Sequence, residues 1–73
     1  MAQEVIEAPM VGKVIRILAN EGDRVKEGDT ICEIESMKME IPIVSTASGV
    51  IKEIKISPGQ TIKAGDVIVV LET

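Results

Sequence analysis

Residues 12–36 and 49–73 of this chain align without a gap at a constant offset of 37 positions, with 8 identities in 25 pairs. Gly12 falls on Gly49, Ile17 on Ile54, Gly22 on Gly59 and Lys26 on Lys63. Gly28-Asp29 falls on Gly65-Asp66, Ile31 on Ile68 and Glu35 on Glu72. Most other apolar positions pair conservatively: Val14 with Ile51, Val25 with Ile62, Cys32 with Val69, Ile34 with Leu71. All 6 glycines stand in register, which argues against chance similarity between two glycine-rich stretches. An internal repeat restricts architecture more than any single element does, because both halves must share one fold and stack on each other. A single unit spanning residues 1–73, with approximate two-fold symmetry, is therefore expected.

Each half reads as strands. Residues 13–18 and 50–56 are rich in β-branched side chains, begin just after a glycine and run into glycine-containing turns. Those turns are Asn20-Glu21-Gly22-Asp23 and Ser57-Pro58-Gly59-Gln60. A second Gly-Asp pair in each half then leads into residues 30–34 and 67–71. No 3.6-residue period persists long enough for a helix. With the outer segments Gln3–Glu7 and Met39–Val44, about eight short strands are expected, the pattern of an all-β sandwich or barrel. Pro42 cannot donate to a ladder, so its segment should be an edge strand or be interrupted there. The glycines are read as turn residues with positive φ rather than as a phosphate-binding loop, since no glycine cluster opens a helix. Asp23, Asp29 and Asp66 are read as turn residues too.

Composition removes most catalytic readings. There is no His to act as a general base, and Cys32 is the only cysteine, so neither a zinc site nor an internal disulfide can be built. Cys32 aligns with Val69 and is expected to be a small core residue. Glu27 and Glu53 are taken as solvated surface. Lys plus Arg is 8 and Asp plus Glu is 12, a net charge of −4, and aromatic residues are absent. Base stacking and phosphate neutralisation both lack their usual side chains, so no nucleic-acid partner is expected. A chain of this length buries only about 60% of its unfolded surface, enough for one modest core. No apolar run approaches the ~20 residues of a membrane span. Nor does the first stretch have the basic-then-apolar order of a secretory signal. A cytoplasmic protein, monomeric in isolation, is the expectation.

Lys38 stands out through the repeat. Ser36 aligns with Thr73, so Met37 onward has no counterpart after the second half. Two-fold symmetry would then put the crossover and the chain termini at opposite ends, with Met37-Lys38-Met39 on an exposed tip. Met-Lys-Met is unusual in a tight turn. On spacing alone, Met37 and Met39 would fold back as gap fillers, leaving Lys38 a solvated charge between Glu35 and Glu40.

The run Glu35-Ser36-Met37-Lys38-Met39-Glu40 resembles the signature of biotinyl domains, the biotin carboxyl carrier family. Ala8-Pro9-Met10-Val11-Gly12 resembles the opening segment of that family, and the duplicated Gly-Asp turns resemble its symmetry. The resemblance covers roughly residues 5–71. It implies a flattened barrel of two four-stranded antiparallel sheets, with the modified lysine on a hairpin at one end. Lys38 would carry biotin in amide linkage, flanked by Met37 and Met39, and the chain would be a carrier without catalytic residues of its own. Its implied partners are a biotin protein ligase, a biotin carboxylase and a carboxyltransferase. The gapless repeat leaves no room for the inserted thumb loop of some family members. Ser36 replaces the alanine common before Met-Lys-Met and resembles the related lipoyl domains, whereas Met37 and Met39 favour biotin. A lipoyl or dual biotin/lipoyl carrier is the alternative, and an unmodified interaction module is a third reading.

Overall fold

Residues 2–73 are described by the computed structural model; Met1, the first residue of the expected 1–73 unit, lies outside them. Eight strands follow in order: β1 (Gln3–Glu7), β2 (Gly12–Ile17), β3 (Arg24–Val25), β4 (Thr30–Ser36), β5 (Met39–Val44), β6 (Gly49–Ile54), β7 (Thr61–Ile62) and β8 (Val67–Glu72). They form two antiparallel four-stranded sheets, ordered β1-β8-β6-β3 and β5-β4-β2-β7. Advancing each strand of the first sheet by four, cyclically, yields the second, so the topology carries the two-fold relation of the sequence. Among the described residues no ladder joins one sheet to the other, so the sheets make a flattened sandwich and not a closed barrel. Pro42 sits on an edge strand, and β5 continues through it.

The repeat extends to irregularities that alternation alone does not predict. Register slips between Val14 and Arg16 against β4, and between Ile51 and Glu53 against β8, 37 residues apart. It slips again between Thr30 and Cys32 against β5, and between Val67 and Val69 against β1. A bulge inserts one residue and resets which side chains face inward. Ile31 and Cys32 are therefore both fully buried although adjacent, as are Ile68 and Val69. With Val14, Ile34, Ile51, Ile62 and Leu71 they fill the space between the sheets. Even β3 and β7, only two residues long, each contribute one buried side chain, Val25 and Ile62.

Four glycines behave as expected: Gly22, Gly28, Gly59 and Gly65 have φ of 87–94°. Each lies in a turn closed by a side chain. Asp23, Asp29, Gln60 and Asp66 accept hydrogen bonds from the backbone N–H three residues earlier, at 2.8–3.0 Å. Gly12 and Gly49 differ from that expectation. Their φ is not positive, and a Cβ would meet the carbonyl oxygen of Glu35 at 2.9 Å and of Glu72 at 2.6 Å respectively. They are glycine because a neighbouring strand approaches too closely.

Connectivity fixes the ends of the molecule. The chain leaves β2 at Ile17, remote from the β4–β5 hairpin, and crosses to the other sheet. There Gly22 and Asp23 exchange backbone hydrogen bonds with Ile51 at 2.8 and 2.9 Å. Arg24 next pairs with Val50, whose other partner is Glu72. Ala2 and Thr73, joined by a backbone hydrogen bond, thus lie at the far end from the hairpin of a body 37 Å long and 18 Å wide.

Candidate functional site

β4 and β5 are joined by only two residues. Ser36 pairs with Met39, and between them Met37 and Lys38 have φ of 53° and 65°. Two successive left-handed residues make the turn whose twist matches a hairpin, a geometry that normally selects Asn-Gly. For residues with a Cβ the left-handed region costs roughly 1–2 kcal/mol each. Strain of this kind persists only where the surroundings over-determine it.

Those surroundings are visible. Six register pairs connect β4 to β5, and Cys32, Ile34 and Ile43 anchor both strands in the core. Ser36 is buried at the last rung. Across the outer face, the Arg16 guanidinium on β2 pairs with Glu33 on β4 and approaches the Glu40 carboxylate on β5 at 3.7 Å. One side chain therefore spans three strands just below the turn. Exposed ion pairs are individually weak, and this one serves mainly to restrain the edge strand.

Lys38 is exposed at the tip, as the symmetry argument expects. Met37 is 91% exposed and Met39 65%. The gap-filler reading of the two methionines is thus overturned. The turn lies beyond the last strand pair, where no facing strand offers a space to fill. What results is a primary amine between two uncovered thioether side chains, on a stiff support and clear of the body. Such an amine can enter another protein's active site and accept an acyl group.

The remaining candidates are structural. Cys32 is fully buried, and burial, with Glu33 adding to it, pushes its thiol up to about 11. It remains a neutral core residue. Arg16 is the site residue that sequence reasoning missed. Its signal was present but faint, since its repeat partner is the oppositely charged Glu53.

Comparison with known proteins agrees with this geometry. Residues 4–71 match the family model Biotin_lipoyl, described as biotin-requiring enzyme. The chain is 39% identical over 71 residues to the biotinylated protein TB7.3 homolog of Mycobacterium leprae, covering 97% of this chain and 99% of that one. It is 38% identical over 66 residues to the biotin/lipoyl attachment protein of Bacillus subtilis, covering 90% of each. The structure superposes on the urea carboxylase of Kluyveromyces lactis with a TM-score of 0.92 and 30% identity, over 99% of this chain and 6% of that one. In longer relatives it corresponds to a part only, 54% of the biotin carboxyl carrier protein of Streptococcus mutans.

Proposed function

The chain belongs to the Biotin_lipoyl family of biotin-requiring enzymes, and from that premise we propose that it is a biotin carboxyl carrier modified on Lys38. The supporting observation is the placement of Lys38 as the exposed second residue of a strained two-residue turn. Its amine projects from a body that buries no other part of the tip. The residues present fit biotin, since amide formation needs an accessible primary amine and no pocket. Attachment converts one cation into a neutral amide, taking the net charge from −4 to −5. Biotin, once attached, supplies a ureido nitrogen that carries a carboxyl group between a biotin carboxylase and a carboxyltransferase.

The chain's own contribution is mechanical. β4 and β5 hold the tip rigid, Arg16 restrains the edge strand, and Met37 and Met39 present apolar surface to the enzymes that take the tip in. Residues 1–73 act as one attachment unit, non-catalytic and monomeric, that raises the local concentration of cofactor at partner sites. A biotin protein ligase is the first of those partners.

Co-expression with a biotin protein ligase in excess biotin tests the reading by intact mass. One biotinyl adduct is expected on the wild type and none on Lys38→Ala. An unchanged wild-type mass refutes it. The name of the B. subtilis relative and Ser36 favour one second reading, lipoate on the same lysine. In that case a lipoyl ligase modifies Lys38 and the Met37→Asp variant is modified faster.

A further inference from the structure

The two outer edges on one side of the sandwich are quasi-equivalent but not equally protected. β1 pairs only with β8, and β5 only with β4. The Thr73 N–H donates to the Ala2 carbonyl at 2.9 Å, and Ala8 exchanges hydrogen bonds with Asp66 and Gly65 at 2.8 and 2.9 Å. An antiparallel ladder alternates. Ala2, Glu4, Ile6 and Ala8 therefore turn their backbone groups toward β8, while Gln3, Val5 and Glu7 turn theirs to the open edge. The same parity on β5 places Glu40, Pro42 and Val44 outward, so the middle donor of that edge is removed by proline. At the position 37 residues earlier, β1 has Val5, which keeps its N–H and is 48% exposed.

An apolar groove runs between these edges. Val5 and Ile6 line one wall, Pro42 and Ile43 the other, and Pro9 and Val44 extend it. The wall pairs are related by the same 37-residue offset, so the groove straddles the pseudo-two-fold. Its β1 rim is acidic: Glu7 lines the groove, Glu4 lies on the same strand, and neither makes an ion pair among the described residues. Unpaired strand edges are templates for another strand, and natural proteins normally block them as Pro42 does here.

We infer that the β1 edge is a docking site for an extended segment of a partner protein, one that alternates apolar side chains with Lys or Arg. Paired antiparallel to β1, such a segment satisfies the free groups of Gln3, Val5 and Glu7. Alternate apolar side chains enter the groove, and its cations meet Glu4 and Glu7. A second copy of this chain fits less well, because each carries −4 and would bring the same carboxylates together. Lys38 lies five residues along β5 from Ile43, about 17 Å at strand spacing, so docking there tethers the domain and leaves the tip free. The inference stands on the edge and groove alone and does not require Lys38 to be modified.

The unmodified 73-residue protein, titrated with an end-blocked Lys-Val-Thr-Val-Lys-Val-Lys peptide in low salt, tests it by backbone NMR. Amide shifts confined to β1 and the groove are expected, with at least about tenfold slower exchange at Gln3, Val5 and Glu7. Val5→Pro should fold, because Pro42 occupies the equivalent place, and should weaken binding about tenfold or more. Glu4→Lys with Glu7→Lys should weaken it several-fold, an effect that fades as salt is raised. No shifts at millimolar peptide, shifts on β3 or β7 instead, or undiminished binding by Val5→Pro would each overturn the inference. So would a dimer in sedimentation that Val5→Pro abolishes, since the edge would then belong to a second copy.

Discussion

Replacing Met37 by glycine should make this protein more stable, although glycine usually does the reverse. The magnitude follows from two terms. Met37 sits at φ 53°, where a side chain costs roughly 1–2 kcal/mol, and glycine removes that cost. Against it stands the extra freedom glycine gives the unfolded chain, about 0.5–1 kcal/mol. No packing is lost, because Met37 is 91% exposed. A net gain of about 0.5–1 kcal/mol remains, which for a domain of this size raises the thermal midpoint by roughly 2–8 °C. Calorimetry or urea unfolding of the unmodified protein measures it. The internal control is Ala64→Gly, also exposed and in a turn but outside the positive-φ set, which should lose about 0.5–1 kcal/mol. The reasoning rests on opposite signs for the same chemical change. If both variants lose stability alike, the tip is not in the left-handed conformation and the strain argument fails.

Gly49→Ala should be among the most damaging single-methyl additions, costing more than about 2 kcal/mol, because the new Cβ would lie 2.6 Å from the Glu72 carbonyl. Gly22→Ala, at φ 91° with open space around it, should cost only about 1 kcal/mol in the same denaturation assay. Ile34→Ala, at a fully buried position, should cost about 2–5 kcal/mol and bring so small a domain near its unfolding threshold at 25 °C. Cys32 predicts a pH window. Its thiol titrates near 9.0 when exposed and about 11 when folded, so the unfolded state loses its proton first. Stability is then intact below pH 9 and falls by about 2–3 kcal/mol toward pH 11, a loss that Cys32→Val should remove in parallel urea titrations.

The pattern of residues was enough to place Lys38, because the argument needed only the offset between halves and not any side-chain contact. Symmetry put the crossover opposite the termini, and the path from Ile17 to Arg24 does so physically. Spacing did not reveal the exposure of Met37 and Met39, since a run of three residues is silent about turn geometry. Two-residue strands such as β3 and β7 carry no period, and their inward residues Val25 and Ile62 were visible only as a conserved apolar pair. The bulges at Ile31 and Ile68 were hidden for the opposite reason: alternation is the rule used to read strands, and a bulge is where it breaks. Gly12 and Gly49 look like the other glycines in sequence, yet their reason lies on a neighbouring strand. The Arg16 clamp needs three strands in register, which no local pattern encodes.

The two-fold relation also explains how a poor turn sequence survives at the tip. Ser36 and Met39 form the last rung of one sheet, and 37 residues away that rung is formed by Thr73 and Ala2. There the rung closes at 2.9 Å with no turn connecting its two residues. The ladder therefore does not depend on a favourable turn: the bulged strands and the buried Ile34, Ile43, Ile6 and Leu71 bring the edges together on their own. Folding leaves the identity of the two tip residues almost unconstrained, and Asn-Gly is not required where the core already sets the register. The residual strain sits at a connection that packing does not select, as is expected if Met37 and Lys38 are kept for the modification proposed for Lys38.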